Sequence, residues 1–243
     1  KTLSFYRDML GMTLIDTFDF PQYKFSLYFL TTLPESESYS LTPGTQAAHD
    51  YLWSMEGVAL ELTHNHGTEN DDTKYHPGNQ ERDGFGHIAV NVVDVYETCK
   101  KLEEQGIEFK KKPDEGRMKG LAFVYDPDRY WVEIVKRGED SKIPNPMNFS
   151  QTMLRVKDPK KSLEFYKALG MKLLDERHFD DFSLYFLGSS NVDEKINVKH
   201  QFQPVLELTH NHGTENDNTF QHKNGNEPDR QGFGHLGFLV DDV

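Results

Sequence analysis

The twelve residues LELTHNHGTEND at Leu60–Asp71 occur again, letter for letter, at Leu206–Asp217. A run of that length does not recur by chance, so the chain carries an internal duplication. The match extends outward in both directions. KTLSFYRDMLGMTLID from Lys1 pairs with KSLEFYKALGMKLLD from Lys161, KFSLYFL (Lys24–Leu30) with DFSLYFL (Asp181–Leu187), and GFGH at Gly84–His87 with GFGH at Gly232–His235. The offset between copies has the size of an ordinary domain and exceeds that of a solenoid repeat. Between them, RGEDSKIPNPMNF (Arg137–Phe149) has two prolines, mixed charge and little periodicity. It reads as a linker separating a first repeat, 1–136, from a second, 150–243.

Each repeat divides again. QTMLRV (Gln151–Val156) has the alternation of a strand. Asp158-Pro159 then opens a helix with Leu163, Tyr166 and Leu169 on one side, and Gly170 ends it. Strands at MKLLDE, FSLYFL and VLELTH follow. The segment from His87 repeats this grammar: HIAVNV is a strand, Asp94 caps the helix VYETCKKLEEQ, Gly106 stops it, and IEFKKK, GLAFVY and YWVEIV are strands. The unit is βαβββ, which predicts an α+β fold of four tandem modules. The strand expected before Lys1 is missing from the first module. The fourth stops at Asp242-Val243, which corresponds to Asp94-Val95. The chain therefore reads as part of a longer protein, and the lack of a leader at Lys1 carries little weight.

Composition narrows the function. A net charge of −13 is the wrong field for nucleic acid or an anionic membrane. No apolar run approaches the roughly 20 residues that cross a bilayer. Cys99 is the only cysteine, so no intrachain disulfide can form, which suits a reducing compartment and a cytoplasmic location.

Strand parity then picks out residues that do not suit a core. Glu207 shares a strand face with Val205, Thr209 and Asn211; Glu133 with Trp131 and Val135; His87 with Ala89 and Asn91; Gln151 with Met153 and Arg155. A carboxylate in mid-strand between bulky apolar neighbours is costly unless it is paired or bound to metal. A single one could be a structural ion pair. His87, Glu133, Gln151 and Glu207 together form a nitrogen-and-oxygen ligand set suited to a borderline cation such as Zn²⁺ or Ni²⁺. The more conspicuous histidines, His210 and His212, have the opposite parity to Glu207 and precede Gly213. They read as strand-end residues entering a turn.

Several longer runs resemble one family. QTMLRVKDPKKSLEFY (Gln151–Tyr166), the two FSLYFL segments, LELTHNHGTE, GFGHIAV (Gly84–Val90), KKPDEGRMKGLAF (Lys111–Phe123) and DPDRYWVEI (Asp126–Ile134) closely resemble the glyoxalase I (lactoylglutathione lyase) family of the vicinal-oxygen-chelate βαβββ superfamily. The resemblance covers nearly the whole chain and looks like the monomeric form with duplicated halves. It implies one divalent metal per complete site, with zinc suggested by Gln151 and the long Thr31–Gly57 insertion, and nickel or cobalt as alternatives. It also implies glutathione as co-substrate.

By the same resemblance the ligands are His87, Glu133, Gln151 and Glu207, and the substrate is the hemithioacetal of methylglyoxal and glutathione. Glu133 takes the C1 proton, Glu207 is the second acid/base, and S-D-lactoylglutathione is released. Arg155 and Asn211 match contacts to the γ-glutamyl end, and Lys111, Gly116 and Trp131 match contacts to the glycyl end and peptide. Met118, Phe182, Leu184 and Phe186 match the pocket for the aldehyde side chain. A second site keeps only Glu61 and His235. The sequence departs from the family at His66 and His212, where Trp is usual, at Arg82 and Arg230, each one residue early, and at Arg129, which replaces the glycine of an Asp-Pro-Asp-Gly turn. Competing readings on the same fold are a truncated, inactive fragment, an extradiol dioxygenase and a ligand-binding module. Gln151 in the first ligand position counts against a dioxygenase, and the presence of both glutamates counts against a binding module.

Overall fold

The computed structural model describes residues 1–34, 36–139, 141–189, 192, 195 and 197–240. The chain begins with a short helix α1 (Thr2–Ser4) that widens into a π turn (Phe5–Met9). It continues through β1 (Thr13–Phe20), β2 (Phe25–Thr31), α2 (Gln46–Ser54), β3 (Leu60–Asn65), β4 (Phe85–Val92), α3 (Val95–Glu104), β5 (Phe109–Lys111), β6 (Ala122–Tyr125) and β7 (Trp131–Lys136). The second half contains β8 (Met147–Val156), α4 (Pro159–Ala168), β9 (Lys172–His178), β10 (Phe182–Gly188) and β11 (Val205–Asn211). The fold is mixed α+β, with one sheet ordered β1-β2-β3 and a second ordered β5-β6-β7-β4-β8-β11-β10-β9.

The large sheet explains why the repeat matters. β4 and β7 run parallel, as do β8 and β11, while β4 and β8 are antiparallel. A parallel neighbour requires a crossover, which α3 and α4 begin in the two units. Both helices start where the sequence predicts: Asp94 accepts from the Glu97 N–H at 3.0 Å and Asp158 from the Lys161 N–H at 3.3 Å. Alternate residues Ile88, Val90, Val92, Val132 and Ile134 face the core with Val95, Cys99 and Leu102 of α3. The other face of the same strands is left for the polar side chains.

The two copies differ where their sequences do. Tyr6 and Gly11 are one residue further apart than Tyr166 and Gly170. The extra residue is absorbed by the π turn, in which the Leu10 N–H donates to Phe5 O at 3.1 Å. Leu163 and Tyr166 of α4 pack on the second-half core, but Leu169, expected beside them, is exposed. IEFKKK forms a strand only over Phe109–Lys111.

Two further expectations need correction. Met147–Phe149, read as linker, already belongs to β8, because they pair with β4 through Val92. Arg137 is buried, donating to the carbonyls of Ile143, Asn91 and Asn145. Residues 233–240, expected as the opening strand of the fourth module, form no strand. Their counterpart β4 is held between β7 and β8, whereas no strand among the described residues lies beside 233–240, so the backbone there finds no ladder. Asp242 and Val243 lie outside the described residues. The Thr31–Gly57 insertion contains α2, which docks on β1: buried Asp16 accepts from the Gly44 N–H at 2.8 Å and from the His49 ring.

Candidate metal centre

The four central strands of the large sheet, β7-β4-β8-β11, each contribute one polar side chain to a single point: Glu133, His87, Gln151 and Glu207. Register brings this about. Ala89 pairs with both Glu133 and Gln151, and Met153 pairs with both His87 and Glu207. Ligand atoms of His87, Glu133 and Glu207 all lie within 4.8 Å of one another, and all three residues are buried. Gln151 Nε2 donates to Glu133 Oε2 at 3.1 Å and to Glu207 Oε2 at 2.5 Å. Gly86, one residue before His87, lies against Met153 so closely that an added Cβ would overlap its terminal methyl. A side chain there would force the flexible end of Met153 to move.

The electrostatics fit a cation. His87 Nε2 is buried without a hydrogen-bond partner, 3.3 Å from Glu133 Oε2 and 3.9 Å from Glu207 Oε2 but aligned with neither. Burial alone would lower the His87 pKa, yet the charges of Glu133 and Glu207 outweigh it and raise it. Burial raises the Glu207 pKa well above the carboxylate range, with Glu133 adding to the effect and His87 and Arg177 opposing it. Two buried acids and an orphaned imidazole nitrogen at one point form a costly cluster that a divalent ion would neutralise. With the Gln151 amide turned to present its oxygen, the set offers one nitrogen and three oxygens.

The remaining expected residues fall into separate groups. Arg155 and Asn211 line one cavity of about 460 Å³ together with Arg82, Thr214, Phe220, His222 and the acid Glu81. Arg155 is anchored there by donating to Phe85 O at 3.1 Å and Asn79 Oδ1 at 2.8 Å. Arg82 sits over the Phe220 ring at 5.5 Å. Phe182, Leu184 and Phe186 pair with Asn211, Thr209 and Glu207 respectively, so they share the face of that glutamate and pack with Val205. Met118 lies outside that cluster and is exposed. Lys111 donates to Leu121 O at 2.7 Å, and burial lowers its pKa. Gly116, at φ 67°, lies beside the Lys111 side chain, and Trp131 is half-buried with Lys110 Nζ over its ring at 5.2 Å. His235 Nε2 reaches within 3.9 Å of Glu61 Oε2, but His235 is largely exposed.

The repeated histidines behave as strand-end residues. His210 Nε2 meets Glu215 Oε2 at 2.8 Å, His64 meets Glu69 at 2.9 Å, and His212 meets Ser183 Oγ at 2.8 Å. Gly213 and Gly67 take φ of 97° and 104°, which glycine alone adopts freely. The motif closes on itself, so it repeats as a unit. Sequence reasoning does not reach Arg177 near Glu207, Phe123 edge-on to His87 at 5.2 Å, or His222 in the arginine-lined cavity. Phe123 does carry a signal, since it shares the parity of a strand face and pairs with Glu133. Arg177 shares such a face too, pairing with Leu184 from β9, whereas His222 lies outside the strands.

Comparison with known proteins identifies the family. The family model described as Glyoxalase/Bleomycin resistance protein/Dioxygenase superfamily matches residues 1–134 and 148–243. Glyoxalase I of Saccharomyces cerevisiae is 45% identical over 253 residues, covering 100% of this chain and 74% of the yeast protein. Lactoylglutathione lyase of Schizosaccharomyces pombe is 40% identical, covering 100% of this chain and 78% of that protein. The crystal structure of glyoxalase I from Zea mays aligns with a TM-score of 0.62 at 32% identity; the match covers 87% of this chain and spans 63% of the maize chain. The chain therefore belongs to the glyoxalase I family of the Glyoxalase/Bleomycin resistance protein/Dioxygenase superfamily.

Proposed function

We propose that this chain is a lactoylglutathione lyase that isomerises the hemithioacetal of methylglyoxal and glutathione to S-D-lactoylglutathione at one centre formed by His87, Glu133, Gln151 and Glu207. The observation that carries this reading is the convergence of those four donors from four adjacent strands of one sheet. A divalent cation held by the four, zinc in our reading with nickel or cobalt as alternatives, would supply a Lewis acid for the negative charge that develops on the substrate oxygens. Glu133 removes the proton from C1, and the C–H electrons move into an enediolate on the substrate. Glu207, across the Gln151 amide, is placed to handle the proton on the other side, and return of a proton at C2 completes the isomerisation.

The anionic glutathione tail needs positive charge, which a chain of net charge −13 must supply locally. Arg155 and Arg82, with Asn211 between the strand and its turn, line a cavity suited to the γ-glutamyl carboxylate. Lys111 and Trp131 take the glycyl end, with Gly116 leaving the backbone accessible. Phe182, Leu184 and Phe186 exclude water on the side of the aldehyde methyl; Met118, exposed and outside their cluster, is assigned to that pocket by resemblance alone. We read the chain as two repeats, 1–136 and 150–243, of four βαβββ modules with the first and last partial, acting as a cytoplasmic monomer. Among the described residues no helix is long and apolar enough to cross a membrane.

The test is direct. The metal-stripped chain is supplied with Zn²⁺ or Ni²⁺, methylglyoxal and glutathione, and thioester formation is followed. Product that requires the metal supports the reading; no product with either ion removes the claim of activity for these residues.

A further inference from the structure

The two copies carry the same FSLYFL strand but differ in what lies beside it. In the first, Phe18 of β1 pairs with Leu27, and its ring meets Phe29 edge-on at 5.7 Å. In the second, Arg177 of β9 pairs with Leu184, the counterpart of Leu27. Its guanidinium carbon lies 4.9 Å from the centre of the Phe186 ring, the counterpart of Phe29. A cation thus replaces an aromatic ring at equivalent positions of the duplicated sheet.

Register puts that cation on the face that carries Glu207. Glu207, Phe186 and Asp175 lie directly across from one another on β11, β10 and β9, and Thr209, Leu184 and Arg177 form the next row. Phe186 therefore stands between Glu207 and Asp175, and Arg177 leans back from its own row to cover it. Its charge is close enough to Glu207 to oppose the burial that raises the glutamate's pKa. Arg177 is half-buried and pairs with half-buried Asp175 through Nε at 3.1 Å and Nη2 at 2.8 Å, both on the single oxygen Oδ2. A partly exposed pair of this kind contributes little to stability, so it is a weak reason for arginine where the first copy has phenylalanine. Among the described residues Nη1 makes no hydrogen bond. The Nη1–Nη2 end of the planar fork is left for a second carboxylate, the group whose shape it matches.

We propose that Arg177 sets the aldehyde specificity of this centre, which accepts α-oxoaldehydes whose side chain ends in a carboxylate held by the guanidinium beside Phe186. The inference rests on the glutathione reading above, in which the aldehyde side chain lies against Phe182, Leu184 and Phe186. A methyl group ends on that apolar surface. A chain about two carbons longer ends beside Arg177, since adjacent strands are only about 4.8 Å apart. Without the arginine, a carboxylate on this apolar surface would lose its hydration with nothing in return.

The test compares S-pentylglutathione with S-(ω-carboxybutyl)glutathione, in which a carboxylate replaces the terminal methyl. Calorimetry on the zinc-loaded full chain in about 0.15 M salt, which screens diffuse attraction, reads both affinities. The parent should bind the acid at least as tightly as the alkyl ligand. Arg177→Met, which keeps packing on Phe186, should lower the ratio of acid to alkyl affinity by about tenfold or more. Asp175→Asn, which removes the competing carboxylate, should raise that ratio. The kcat/KM ratio of carboxyethylglyoxal to propylglyoxal, each supplied with glutathione, should shift in the same directions. Two results would overturn the proposal and leave the glutathione reading intact. In one, the alkyl ligand binds and the acid is the weaker of the two. In the other, Arg177→Met leaves the ratio unchanged, as for a carboxylate that binds the metal instead. If neither ligand binds, the glutathione reading fails and this proposal falls with it.

Discussion

Glu133 and Glu207 come from strands that are not neighbours, yet both oxygens close on the same amide nitrogen of Gln151, at 3.1 and 2.5 Å. In metal-free protein this proximity is a liability, because two buried carboxylates repel each other and the Gln151 N–H groups offset only part of that cost. Glu207→Gln should therefore raise the stability of the metal-free chain by about 1 kcal/mol or more, since one pKa unit of perturbation corresponds to about 1.4 kcal/mol. Zinc should reverse the order. At about 100 times its Kd, a ligand adds about 2.7 kcal/mol, on the order of 5–10 °C in Tm for a chain of this size. The variant should lose most of that gain. Thermal unfolding with chelator and with zinc measures both, and a metal-free variant less stable than its parent would contradict the account.

Glu133→Gln keeps the size and the contact to Gln151 but removes the base. Turnover should fall by roughly 10³-fold, within the usual range for loss of a general base. His212→Ala removes contacts to Ser183 Oγ, the Asp180 carbonyl and the His210 ring at the sheet's end, and its kcat should change by less than about tenfold. Steady-state kinetics on zinc-loaded protein compares them. The opposite ranking would mean the roles are assigned to the wrong residues.

Asp126 provides a pH dependence away from the centre. It is buried beneath the turn before β7, where its carboxylate accepts from Tyr6 Oη at 2.8 Å and from the Asp128 and Tyr130 N–H groups at 2.9 Å. Burial nevertheless outweighs those bonds and pushes its pKa up to about 6. The folded state then holds the proton more tightly than the unfolded chain, whose value is about 3.9. The resulting stabilisation is fully present below about pH 4 and is lost as pH rises through about 6, a change of about 3 kcal/mol at most. The substitution Asp126→Asn keeps an oxygen for both N–H contacts and removes the titration. The stability of that variant relative to parent, from urea unfolding, should thus rise between about pH 4 and 6.5. A flat difference would mean that the three hydrogen bonds compensate burial in full.

The parts of this architecture that are legible in sequence are those set by local rules. Asp94 and Asp158 mark helix starts because a carboxylate one residue before the helix caps its N–H groups, and period-two alternation places His87, Glu133, Gln151 and Glu207 on polar faces before any strand order is known. Their convergence additionally needs β4 to lie between β7 and β8, a tertiary fact. Helix α2 is not legible because its docking depends on Asp16, 33 residues from His49 in sequence. The burial of Arg137 depends on carbonyls from β4 and from the turn before β8. Residues 233–240 show the converse: the letters GFGHLGFLV alternate as GFGHIAVNV does, but alternation forms a strand only where neighbouring strands supply partners.

Arg129 closes the same turn and sets backbone strain against side-chain contacts. It stands at φ 75°, in the left-handed region, where a Cβ costs roughly 1 kcal/mol relative to glycine. Its guanidinium grips Glu108 through Nη1 at 2.5 Å and Nη2 at 3.0 Å, and lies 3.6 Å over the Tyr125 ring. Half-exposed contacts of these kinds are worth about 0.2–1 kcal/mol for the ion pair and about 0.5–1 for the ring. Arg129→Gly should therefore be nearly neutral, because relief of strain and loss of contacts cancel. Arg129→Ala loses the contacts and keeps the strain, so it should be less stable than the glycine variant by about 1 kcal/mol. Chemical denaturation of the two variants separates the terms without reference to the parent. If alanine equals glycine there, the left-handed backbone carries no cost, and the arginine is held by its side chain alone.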